Sequence, residues 1–445
     1  MKYILAVFTL LTFLFLSGCG SEDGFTREPP PAGILQVLNV IPDSPELIVN
    51  YENQNVGFID FGKSTGLIEV LPLVTRSLRI TTNENQTETL LVSGDVRIPV
   101  DNLLTVVIAG TMTSPELILI EDVPPEYADD GTISKLRFIH AATSVQTSVD
   151  FHLTENDAPA GEPTASVPIN SVTELISIEA SETVRLRAFD TTGDALWDSG
   201  SFLLSASTSQ MFVLLDYFGP GDSKVRAVSM TSSAAENFPN EVITSSSRYA
   251  NMISDRTAVD FYLGGTLMAE DMLFGDVDTY QNLVAGEYDI MVTTANDIND
   301  VIAETTFTAE SGQFHSIIAT GVGDSNAVLG IQDDLRRGSS RARVAFTNTS
   351  PAVGNVDLYM LTTGQSVDDQ RAHILSLVSP GSSDVRVSEG TYDLVLTTAG
   401  TNTIVFGPEQ ISVNNNSLYR IYFTDSAGGG EPVLTLPGDE FSADL

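Results

Sequence analysis

Four times in this chain an apolar, β-branched-rich segment ends at or next to a His or Asn. A short polar loop follows each time, and then a second segment opens on Val with an acid or amide behind it. Residues 136–153 show it most clearly: L-R-F-I-H-A-A-T-S-V-Q-T-S-V-D-F-H-L. The marker residues are Asn39, His140, Asn251 and Asn348, roughly 100 residues apart. The second segments are Val49-Asn50-Tyr51, Val149-Asp150-Phe151, Val259-Asp260-Phe261 and Val356-Asp357-Leu358. A repeat at that spacing makes the chain a series of copies of one domain-sized unit. Strand alternation puts the Val and the aromatic or Leu on one face, with Asn50, Asp150, Asp260 and Asp357 on the other.

Each unit continues in the same grammar. G-E-Y-D-I-M-V-T-T at 286–294 matches G-T-Y-D-L-V-L-T-T at 390–398, with apolar residues at period two. Each unit closes on a hairpin pattern, as in 103–109 with 116–120 and 314–320 with 327–331. About seven or eight short strands per unit spell an all-β chain of four tandem antiparallel β-sandwiches. Their expected spans are 34–121, 135–230, 247–331 and 341–437. Linkers are expected at 121–134, 231–246 and 332–340. The last is too short for independent tumbling, so the third and fourth sandwiches are expected to stack.

The beginning of the chain carries a different message. Lys2 precedes an apolar run over 3–16, which has the length of a signal-peptide core and is short for a membrane span. L-S-G-C at 16–19 resembles the lipobox of bacterial lipoproteins. The resemblance implies cleavage between Gly18 and Cys19, lipid on the Cys19 sulfur, and, with Gly20 rather than Asp next, the outer membrane. Residues 1–18 read as the signal peptide and 19–33 as a polar, Pro-rich tether. Cys19 is the single cysteine, so no intramolecular disulfide is available. The net charge of −38, from 59 acidic against 21 basic residues, excludes nucleic acid and anionic head groups as partners of the globular part.

The pattern R-x-x-H-A followed by V-D-F resembles the bacterial domain-of-unknown-function family 4397. Arg137, His140, Ala141, Val149, Asp150 and Phe151 carry it best; Arg248, Val259, Asp260, Phe261 and Tyr262 carry it in the third copy, and Val356, Asp357 and Tyr359 in the fourth. The first copy departs, with Gln36 for the Arg and Asn50 for the Asp. The resemblance implies an immunoglobulin-like sandwich in a surface or secreted protein, and no catalytic residues.

Candidate chemistry is sparse. His140, His152, His315 and His373 are scattered among copies, and Asn replaces His140 elsewhere, so a loop-capping role is expected rather than zinc. Two G-D-S triplets, 221–223 and 323–325, fall where hairpin turns belong, and neither Ser has a His pattern to activate it. Acidic loops at Asp276/Asp278, 296–300 and Asp333-Asp334 offer oxygen ligands for Ca2+, against a default of solvated loop charge. Trp197 reads as packing or as an exposed stacking aromatic. No metal site and no cofactor other than Ca2+ is suggested. The expectation is a non-catalytic, lipid-anchored protein of the outer membrane, presenting its sandwiches for adhesion, envelope organisation or ligand contact. Its expected partners are the membrane through its lipid, envelope proteins or glycans. The alternative is a periplasmic or surface binding module for a small ligand, glycan or Ca2+.

Overall fold

Because the apolar residues recur at period two between Gly-, Asn- and Asp-rich turns, nearly all regular structure is strand. The computed structural model describes residues 32–84, 87–122, 131–156, 158–220, 224–231, 235–238, 240–241, 243–426 and 432–435. The expected signal peptide, Cys19, most of the expected tether, the first G-D-S triplet, most of 121–134 and the C-terminal residues from 436 lie outside them. Among the described residues, the one helical turn is the 3-10 turn Gly323–Ser325, which sits in a hairpin as the second G-D-S triplet was expected to.

The strands form eight sheets, two for each copy of the repeat. Within a copy, the fourth, first, seventh and eighth strands form one sheet in that order. The third, second, fifth and sixth form the other. All four copies share this order; in the second, the fourth strand is split into Ser171–Val172 and Ile176–Glu179, and strand Ala235–Phe238 is added at one edge. The stretch 231–246, expected as a linker, is thus partly built into the second sandwich, and Phe238 packs against Trp197 there. Likewise, strand Ala327–Asp333 runs into the stretch expected as the third linker.

One strand pair in every copy departs from the antiparallel expectation. The first strand, such as Gly33–Asn39, runs parallel to the seventh, Leu103–Thr111; the same holds for Ile133–His140 with Ser209–Asp216, Ser245–Ile253 with Phe314–Gly321, and Ala342–Asn348 with Leu418–Thr424. Parallel neighbours need a long crossover. Here the five intervening strands supply it: the second, third, fifth and sixth pass through the facing sheet, and the fourth returns to pair with the first.

Each sandwich has its own core. In the first it includes Leu35, Val37, Val49, Ile80 and Val106; in the fourth, Val344, Phe346, Leu358, Leu396 and Phe423. The first and seventh strands are also covered on their outer face by a neighbouring sandwich. Leu38, Val40, Val107 and Ala109 of the first copy pack against Ile139, Ala141, Val213, Leu215 and Val228 of the second. Two-sided burial explains why these strands read as near-continuous apolar runs such as L-T-V-V-I-A rather than strict alternation.

Candidate functional site

The repeat-marker residues are capping groups at the end of each first strand, all fully buried. Asn39 Nδ2 donates to Ser44 Oγ (2.8 Å) and its Oδ1 accepts from the Ile41 amide (3.1 Å). Asn251 and Asn348 accept from the amides of Ile253 and Ser350 in the same way, at 2.9 and 3.1 Å. His140 keeps the position with an imidazole, its Nε2 3.0 Å from the Thr147 carbonyl, and burial lowers its pKa. A second polar position ties strands to turns. Asp260 accepts from the amides of Asp271 (2.8 Å) and Asn296 (2.9 Å), and Asp357 from those of Ser376 (2.6 Å) and Gly400 (2.8 Å). Three of those donors are non-glycine residues with φ between 51° and 64°, a costly conformation that a buried carboxylate helps to hold. Asp150 accepts from Ser166, whereas Asn50 donates to Thr81 and Glu88. These eight residues work within their own copies and are not gathered into one site.

The other histidines are similarly engaged. His152 Nδ1 lies 3.1 Å from the Ala160 carbonyl, and its ring meets Phe189 edge-on. His315 Nε2 accepts from the Glu310 amide (3.3 Å) and His373 Nδ1 from the Met360 amide (3.2 Å). Trp197 is fully buried in the second core. In the acidic loops, Asp276, Asp278 and Asp297 accept from backbone amides. Among the described residues no group of three or more His, Cys, Asp or Glu is placed to hold a metal ion.

The structure instead gathers unannounced residues at a turn of the first sandwich, Asp60-Phe61-Gly62-Lys63. Gly62 donates its amide to the Asn39 carbonyl (2.8 Å), and the Asn39 amide donates to the Lys63 carbonyl (3.1 Å). Gly62 takes φ +72°, which a Cβ would strain. Asp60 accepts from Arg336 (3.0 Å) and Arg386 (3.2 and 3.3 Å), which come from the connection into the fourth sandwich and from that sandwich itself. Burial alone would raise the Asp60 pKa, but the two guanidiniums together outweigh it and lower the carboxyl. Arg336 also donates to the Ser44 carbonyl (2.6 Å). Phe61 lies between two cations. Arg336 stands 5.1 Å from its centroid and Arg226, of the second sandwich, 4.9 Å. Arg226 is in turn 4.9 Å from the Tyr217 ring centroid. Tyr217 donates its hydroxyl to Gln313 Oε1 of the third sandwich (2.8 Å), and burial raises its pKa to about 12.

Around this stack lies a cavity of about 430 Å3, lined from the first, second and third sandwiches. Sequence reasoning missed it because its parts lie far apart in the chain. One signal was present: Phe61-Gly62 recurs as Phe274-Gly275, and Gly275 donates to the Asn251 carbonyl (2.8 Å) as Gly62 does to Asn39.

Tandem β-sandwiches joined by close contacts, each built on the same eight-strand order, define the architectural class. The chain belongs to the family described as Domain of unknown function (DUF4397), whose model matches residues 33–152 and 245–359, more than half of the chain. Each match begins at the first strand of one copy and ends in the second strand of the next. No curated protein matches the chain. Among solved structures, the Bacillus anthracis TIE protein is 11% identical, covering 88% of this chain and 67% of that one, with a TM-score of 0.15. BcpA, the major pilin subunit of Bacillus cereus, is 8% identical, covering 66% of this chain and 100% of that one, with a TM-score of 0.13. Such TM-scores establish no common architecture.

Proposed function

We propose that this chain is a non-catalytic, lipid-anchored protein of the bacterial outer membrane. Cys19 holds it to the bilayer, and the tandem sandwiches are presented to envelope proteins or glycans for adhesion or envelope organisation. The observation that carries the reading is the use of the recurring polar residues. Asn39, His140, Asn251 and Asn348 cap strands and are fully buried, and Asp260 and Asp357 hold turns. What the repeat preserves is thus a scaffold, while the loops around it differ from copy to copy. A nucleophile held against a general base supports an enzyme reading, and neither Ser325 nor any of the four histidines supplies one; Ser325 donates to the Val322 carbonyl at 2.6 Å.

The test is radiolabelled palmitate incorporation into the full chain and its Cys19→Ala variant, with globomycin present or absent. Label on the wild type alone, and precursor accumulation under globomycin, are expected. Unlabelled wild type processed normally under globomycin would overturn the anchor. A cell-surface display of the chain that binds no glycan on an array and adds nothing to cell adherence would overturn the adhesive role.

A further inference from the structure

The cavity at the Asp60–Lys63 turn is unusual in its charge balance. Three of its four carboxylates are already used: Asp60 by Arg336 and Arg386, Asp333 by Arg420, and Asp334 by Arg343. Arg226 is not so matched. Its Nε is buried, and among the described residues it has no hydrogen-bond acceptor and no ion-pair partner; its contacts are the two aromatic rings and the field of Asp334. A desolvated guanidinium without an acceptor is costly, and in a chain with 59 acidic residues a partner would be easy to supply. Arg226 lies over the Phe61 and Tyr217 rings, 4.9 Å from each centroid, and its planar fork is the geometry that grips a carboxylate with two parallel bonds. Gly62 makes room for it: a Cβ at that position would stand 2.7 Å from one Arg226 terminal nitrogen.

The rest of the lining is polar. Gln313 uses its Oε1 for Tyr217 and Gln332, and Asn237 stands exposed at the rim; among the described residues neither side-chain NH2 has a partner. Such groups suit hydroxyls rather than an apolar body. Glu310, with no ion-pair partner among the described residues, and the nearby Asp334 oppose a second negative charge, which favours a monoanion over a phosphate dianion. We infer that this cavity binds a small polyhydroxylated monocarboxylate, a sugar acid, with its carboxylate on Arg226 and its hydroxyls on the amides. The site is independent of the proposed anchor and of any adhesive role.

Calorimetric titration of the purified full chain in detergent, at low ionic strength, tests it with D-glucuronate and D-gluconate as probes. Saturable one-to-one binding of either acid is expected, with none of D-glucose and at least tenfold weaker binding of glucose 6-phosphate. Arg226→Gln should abolish binding, and Arg226→Lys, which keeps the charge without the planar fork, should weaken it at least tenfold. Asn237→Asp, an exposed change that leaves the fold alone, should weaken it severalfold through repulsion. If neither acid binds the wild type, the inference is overturned. The same follows if binding is as tight in Asn237→Asp and in folded Arg226→Gln. Arg226 would then be only a clamp between Phe61 and Tyr217, visible as a lower melting temperature in Arg226→Gln.

Discussion

Between the first and second sandwiches, the outer faces of the first, seventh and eighth strands meet through Leu38, Val40, Val107, Ile118, Ile139, Val213 and Val228. Between the third and fourth, strands at equivalent places meet through a different set of groups. Asp333, with no exposed side chain, pairs with Arg420 and accepts from Tyr280 (2.7 Å) and Ser316 (2.5 Å). Arg248 donates to Ser316 (2.8 Å) and lies over the Tyr280 ring at 4.8 Å. The apolar remainder is smaller and split in two: Ala250, Met252, Ile318 and Tyr422 in one cluster, and Phe314, Leu335 and Leu418 in another. One topology therefore supports a greasy joint and a polar one. The first tolerates small changes of angle, because dispersion and burial are non-directional. The second fixes register, because a buried carboxylate with three partners has few alternative arrangements.

Breaking the apolar joint with charge should have the largest effect. Val213→Asp places a carboxylate where nothing answers it, and a loss of about 4 kcal/mol or more is expected in urea denaturation. Next comes Asp333→Asn, which strands the buried Arg420 and should cost about 3–5 kcal/mol. Replacing the pair together, as Asp333→Leu with Arg420→Met, should be close to neutral in stability. If the single change is as mild as the double, the polar joint contributes no more than its apolar remainder. Leu38→Ala should cost about 3 kcal/mol, the usual range for an emptied core position. The smallest effect should be a pH dependence set by buried histidines inside the sandwiches of both pairs. Burial lowers the pKa of His140 in the first pair and of His315 and His373 in the second. A lowered folded pKa means the native state binds fewer protons. Their contribution is therefore complete above about pH 6.5 and is lost as the pH falls below it, by at most about 1.4 kcal/mol per histidine per pH unit. His140→Asn, the residue found in the other copies, should keep the cap and remove that histidine's share of the slope, read from urea midpoints at pH 7 and 5.5.

The copies themselves were legible because their markers are local. Val259-Asp260-Phe261 announces a strand by alternation, and an Asn at a strand end announces a cap. Strand direction was not legible, since period two is the same read either way; hence the parallel pairing of Gly33–Asn39 with Leu103–Thr111 came only from the structure. The joints were partly legible. Runs such as V-V-I-A at 106–109 are too apolar for a half-exposed sheet. Asp333 looked like one of many loop acids, because its partner Arg420 is 87 residues away. The Asp60–Lys63 turn was illegible for the same reason, as Arg226, Arg336 and Arg386 reach it from three distant places.

The central claim is that the sandwiches close on one another, so that the first touches the connection into the fourth. Ser339 donates its amide to the Asp43 carbonyl at 2.8 Å, which brings two positions almost 300 residues apart within disulfide reach. With Cys19 replaced by Ala, the pair Asp43→Cys and Ser339→Cys should oxidise to an intramolecular disulfide in nearly all molecules. It would be seen as a faster band on a non-reducing gel and as a linked peptide after proteolysis. Free thiols or only intermolecular links under the same oxidation would contradict the closed arrangement and return the chain to four sandwiches on a string.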